Sequence, residues 1–301
     1  KRQADDVSIV AGNNVTIVDT NALLLAASTV SGNASITANG AITTSGNLAL
    51  NGLASTIYAQ TANADLTISN AITNNNGAAS TLDLRADRNV TFATGGSATG
   101  SGSTLAVTVN ADRDGNGAGT ISMVAGTSIT SNGGNISLVG GTTGTGAAVG
   151  TTGVTLTGAN LTSAGGAIVV TGNGSSGAGV LIDTSSVVQS TSGAITVTGT
   201  GTAGNAIGVS MASSGKLATA TGTINVVGTG AGTGAGVQLS GATLDVSGAG
   251  VLRVTGSSAS GSGILTTAGS NTLGNAAMSG EILLRSTGGN ISTDASILTT
   301  G

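Results

Sequence analysis

Five segments decide the fold: GAIVVTG at 166–172, GAITVTG at 193–199, GTINVVG at 222–228, GVLRVTG at 250–256 and GEILLRS at 280–286. Their first apolar residues, Ile168, Ile195, Ile224, Leu252 and Ile282, recur in sequence number at steps of 27, 29, 28 and 30. Two positions on stand Val170, Val197, Val226, Val254 and Leu284. Apolar residues at i and i+2 mark a strand with one buried face. Recurrence at a nearly constant step marks a solenoid, in which equivalent strands stack into ladders.

Two further strands fit inside each repeat. One begins at Val180, Val209, Val237 and Ile264, the other at Val187, Leu217, Leu244 and Leu273. Before residue 110 the strands read VTIV (15–18), ASIT (34–37), LAL (48–50), TIYA (56–59), LTIS (66–69), LDLRA (82–86) and VTFA (90–93). The step from Ile36 to Ile57 is only 21. The expectation is an all-β parallel β-helix with three short strands per coil. Its coils hold roughly 20 residues in the first half and 27–32 in the second, with the loop-length change near 110–140. Residues 1–301 read as one continuous helix of about a dozen coils, about 55–60 Å long at the inter-strand spacing.

Composition agrees. The 301 residues include 53 Gly but no Pro, Cys, His or Trp, one Tyr and one Phe, and 39% are hydrophobic against 7% charged. A disordered chain is less apolar, and a collagen needs Pro with a strict Gly period. β-Branched residues suit a pleated, half-buried surface, and Gly and Asn supply the φ > 0 positions of tight corners. Eight Lys and Arg make no basic patch, so nucleic acid is not an expected partner. The longest aliphatic run, Ala22 to Ala27, is far too short to span a bilayer. Neither terminus reads as a polar cap, from Lys1–Asp6 to ISTDASILTTG at 291–301, so end-to-end self-association is a second expectation.

The runs NVTIVDTNALLLAASTVSGNASITANGAITTSGNLAL (14–50) and GGNISLVGG (133–141) resemble the filamentous-haemagglutinin-type exoproteins. These are bacterial adhesins of the two-partner secretion route, similar to autotransporter passengers. The resemblance lies in repeat style along the whole chain. It implies a right-handed β-helix on the bacterial cell surface, facing a host or neighbouring cell or a matrix glycan. That family's secretion domain carries an Asn-Pro motif, which a chain without Pro lacks. The chain therefore reads as a segment of a longer exoprotein, or its secretion route differs.

Few residues carry chemistry. Asp112, Asp114 and Asn116 in DRDGNG (112–117) match the first half of a calcium loop, but the position of the usual Glu ligand is Met123. A polar turn gives the same string, so calcium is a candidate and no other cofactor is expected. Asp83, Arg85 and Asp87 alternate on one strand face opposite Leu84 and read as a solvated ion-pair face, as do Arg253 and Asp245. Seven Asn-X-Ser/Thr sequons (Asn14, Asn33, Asn89, Asn135, Asn160, Asn173 and Asn290) equal the number that 24 Asn and 84 Ser or Thr give by chance. Polysaccharide cleavage needs paired carboxylates or a base in a cleft, and neither Asp183 with Asp245 nor any His supplies it. The outward file Val169, Thr196, Asn225, Arg253, Leu283 is no Thr array of the kind ice binding needs. The sequence-level expectation is a non-enzymatic extracellular shaft of an adhesin or matrix fibre, or a subunit that polymerises coil on coil.

Overall fold

The computed structural model describes residues 5–267, 269–293 and 296–298. Lys1 to Ala4, Ala268, Asp294, Ala295 and Thr299 to Gly301 lie outside them. Among the described residues, thirty-six strands and no helix build three sheets, two of twelve strands and one of eleven, plus one short strand beside the third. Every strand pair is parallel, and each strand of a sheet is hydrogen-bonded to its counterparts one coil before and one coil after. The chain is thus a parallel β-solenoid: it visits the first, second and third sheets in turn and then climbs one coil.

The register places Ile168, Ile195, Ile224, Leu252 and Ile282 side by side in the third sheet, and Val170, Val197, Val226, Val254 and Leu284 beside them. The first four residues of each file are fully buried; Ile282 and Leu284 are half-buried, packed against the core. In the first sheet Val180, Val209, Val237 and Ile264 align as spaced. The second sheet departs by one residue. Val187 pairs with Lys216, and Val188 enters the buried file with Leu217, Leu244 and Leu273. A slip of one residue exchanges the two faces of a strand. In VVQS both of the first two positions are Val, so alternation alone could not choose between them.

The coils also lengthen earlier than the spacing suggests. The step from Val15 to its partner Ala34 is 19 and that from Ala34 to Ser55 is 21, but from Ile57 to Leu84 it is already 27. The longest coils are those from Ile121 to Val154, a step of 33, and from Ile136 to Ile168, a step of 32. The extra chain goes into corners, at 112–120 and 141–153, while the strands stay short. Gly140 and Gly146 form an antiparallel bridge that closes the second of these corners, and Ala148–Gly150 pairs with the end of Ile168–Gly174.

The interior is a stack of side-chain files. Phe92, Met123, Leu156, Ile182, Met211 and Leu239 form one of them, all fully buried. Each aliphatic side chain buried this way is worth roughly 1.5–3 kcal/mol. Because every coil contributes its own layer, one central aromatic cluster is unnecessary.

The outer glycines of the repeated heptapeptide have a steric task. A Cβ on Gly193 would lie 2.0 Å from the Gly166 carbonyl oxygen, and one on Gly222 would lie 2.2 Å from that of Gly193. At the other end of the strand, a Cβ on Gly199 would lie 2.1 Å from the Gly208 carbonyl oxygen. None of these glycines has positive φ. They are required because neighbouring backbones touch there, rather than because the chain turns with φ > 0.

Candidate functional site

Charge is sparse on this rod, yet eight of the twenty charged residues fall between positions 65 and 114. Stacking brings them to the corner that leaves the third sheet. The outward positions Tyr58, Arg85 and Asn110 are direct neighbours on successive strands, as are Thr56, Asp83 and Thr108. Arg85 pairs with Asp83 at 2.6 Å, within its own strand. Arg88 grips Asp65 of the preceding coil through Nε and Nη2, at 2.8 and 2.5 Å. Asp65 also accepts the backbone N–H of Asn89 at 3.0 Å. Burial pushes the Asp65 carboxyl up, but the Arg88 and Asn89 hydrogen bonds outweigh it and hold the group below the ordinary carboxylate range.

Asp87 does not share a face with Asp83 and Arg85, as the alternation implied. The strand Ser80–Ala86 ends one residue earlier, and Asp87 turns into the corner, where it is 5% exposed. Its carboxylate accepts the Tyr58 hydroxyl at 2.6 Å and the Thr61 N–H at 2.7 Å. Burial first, and then the bond to this anion, raise the Tyr58 phenol above its ordinary value.

The DRDGNG segment is occupied with its own turn. One oxygen of the buried Asp112 accepts the N–H groups of Gly117 and Ala118 at 3.0 and 3.2 Å. Asp114 accepts the side-chain amide of Asn116 at 2.7 Å and its backbone N–H at 3.3 Å. Burial raises the Asp112 carboxyl, with the nearby Asp114 charge adding to it, against those backbone donors. Among the described residues no three His, Cys, Asp or Glu side chains are grouped to hold a metal ion. The arrangement is that of an Asx-type turn.

Above this corner the segment 141–147 folds over the outer face of the third sheet. Asn110 occupies an outward strand position but is only 2% exposed, because that segment covers it. Its Nδ2 donates to the Gly141 carbonyl at 3.3 Å, and its Oδ1 has no hydrogen-bond partner. Asn110 lines a cavity of about 190 Å³ together with Asp83, Arg85, Thr108, Arg113 and Thr143. Nothing in the sequence singled out Asn110, since the strand pattern alone places it in solvent.

A second, shallower groove of about 360 Å³ runs along the second sheet over Thr162, Gln189, Ala218 and Asp245, which are consecutive rungs. Asp245 is held by Lys216 at 2.8 Å and by the Asn275 amide at 2.8 Å. Asp183 lies on the first sheet, so these two carboxylates do not converge. Arg253 is exposed on the third sheet between Asn225 and Leu283. Several sequon asparagines act as rungs: Asn14, Asn33 and Asn135 each accept a backbone N–H of the next coil, at 2.8–3.0 Å.

Comparison of the chain with protein-family models, with curated proteins and with solved structures gives no match.

Proposed function

We propose that this chain is the non-enzymatic, extracellular shaft of a bacterial surface adhesin or matrix fibre. The observation that carries the reading is the unbroken ladder. Three sheets run the length of the described chain with every coil hydrogen-bonded to the next. Such an object resists bending and extension along its axis, which suits a spacer that holds a binding surface away from a cell. Uncharged Ser, Thr and Asn on the outer faces solvate it without attracting nucleic acid. The non-enzymatic part is supported by the charged side chains, most of which are engaged in structural pairs or turns. The repeat style at 14–50 and 133–141 supports the extracellular, adhesin-like part.

The test is the location and intact mass of the native polypeptide in cells that produce it. Recovery from the surface fraction at a mass far above 27.9 kDa, with immunogold label along projecting fibres, is the expected result. Retention inside the cell, or hydrolysis of a polysaccharide by the purified chain, would remove the reading. Polymerisation coil on coil is the second reading. A native mass near 27.9 kDa in isolated filaments would select it.

A further inference from the structure

We propose that the cavity over Asn110 is a binding site for one sugar acid, a ring that carries a carboxylate beside free hydroxyl groups. Three observations converge. First, the Asn110 Oδ1 is buried and unpartnered. The bond from Nδ2 to the Gly141 carbonyl fixes the orientation of the amide, so the oxygen is the atom left over. A buried acceptor without a donor keeps its desolvation penalty uncompensated, and in a native structure it calls for a partner. A ligand hydroxyl is such a donor.

Second, Arg113 makes no ion pair among the described residues. Its Nη1 donates to the carbonyl of Thr142, a neutral acceptor. The rest of its planar fork is free for a carboxylate, the group it matches best. Arg85 at the same cavity is already balanced by Asp83, so the lining carries one cation in excess. Third, the wall is polar: Thr108 and Thr143 add hydroxyls, and no large apolar side chain contributes. That favours a hydroxylated ring over a peptide terminus with an apolar side chain. About 190 Å³ is below the size of drug-scale clefts and has room for one ring rather than a chain.

Access runs through the covering segment. Gly144 lies against the Asn110 amide, where a Cβ would come within 3.0 Å of Nδ2. The stretch from Gly141 to Gly146 contains three glycines; its base is anchored by the Gly141 N–H on the Ala111 carbonyl and by the Gly140–Gly146 bridge, and its tip by Arg113 through Thr142. A carboxylate that takes over Arg113 releases Thr142, and the tip gives at Gly144, between anchors that stay in place, so that the ring hydroxyl reaches Oδ1. This adds a ligand to the shaft reading without depending on it, since the site stands wherever the protein is located.

The experiment titrates the whole chain with methyl β-D-glucuronide, methyl β-D-glucoside and acetate, followed by calorimetry and by the emission of Tyr58. Tyr58 is the one tyrosine of a chain without tryptophan and adjoins Arg85. The glucuronide binds, more weakly as salt rises, and the glucoside and acetate bind at least about tenfold more weakly. Arg113→Gln weakens the glucuronide about ten- to a hundredfold, the worth of a charge-assisted hydrogen bond, with unchanged far-UV dichroism. Asn110→Ala weakens it too; should that variant misfold, Arg113→Gln alone decides. Equal binding of glucoside and glucuronide, equal binding of acetate, no binding of any probe, or an Arg113→Gln chain that binds as the parent does would each overturn the proposal.

Discussion

At the scale of single residues, the fold rests on two kinds of position that tolerate little change. Ile224 is fully enclosed between Ile195 and Leu252. Ile224→Val should cost about 0.5–1.5 kcal/mol, whereas Ile224→Asp buries an unpaired charge and should disrupt the coils on either side. An Ile224→Asp chain with the parent's far-UV dichroism and melting curve would contradict the buried register. Gly193 is the second kind. The strand is in contact with the previous coil's backbone at that corner, so Gly193→Ala has no room for its methyl group. A loss of about 1–3 kcal/mol is expected, as for overpacked cores, read from urea denaturation. Composition suggested glycines for turning; contact is what these particular glycines serve.

At the scale of the elements, the corners carry the polar structure and the pH response. Asp65 has a folded-state value below its ordinary one, so the unfolded chain takes the proton first. Its contribution is complete above the ordinary carboxylate value and is lost as pH falls through the folded value. Asp112 has the opposite sign. Its raised value means the folded state protonates more readily, and its burial weakens the fold as pH rises through the ordinary range and past the raised value. Arg88→Gln should therefore shrink the acid-side fall in melting temperature. Asp112→Asn keeps an acceptor for Gly117 and Ala118 and should raise the melting temperature at neutral pH but not in acid. Identical pH–melting profiles for both variants and the parent would refute this division. Tyr58→Phe leaves buried Asp87 with one donor fewer and should cost about 1–3 kcal/mol, measurable by denaturant titration.

At the scale of the molecule, the eleven or twelve rungs of each sheet among the described residues, at the inter-strand spacing, give a rod about 55 Å long, a dimension that small-angle scattering measures directly. Nearest-neighbour coupling should confine damage. In hydrogen exchange, Ile224→Asp is expected to expose amides of the coils beside it, while those around Ile36 and Ile57 keep their protection. Uniform loss along the chain would mean that the rod unfolds as one unit. The charged corner at 65–114 gathers eight of the twenty charged residues, and the segment above it encloses a polar cavity. That is why the binding proposal falls there.

Strand periodicity was enough to determine the solenoid, its three strands per coil and the inward files from Ile168 and Val170, because a period of two residues nested in a near-constant step has only one stacking that buries every apolar rung. It could not choose between Val187 and Val188, which are chemically identical neighbours, nor see that coil length changes at Ile57, where most of the added residues went into corners. The charged corner was legible as composition but not as geometry. Asp87 leaves the strand face, Arg88 reaches back one coil to Asp65, and Asn110 is buried by a segment from the coil that follows. Those contacts join residues one coil apart, and their pairing depends on how each corner folds over the one beneath it, which only the tertiary structure decides.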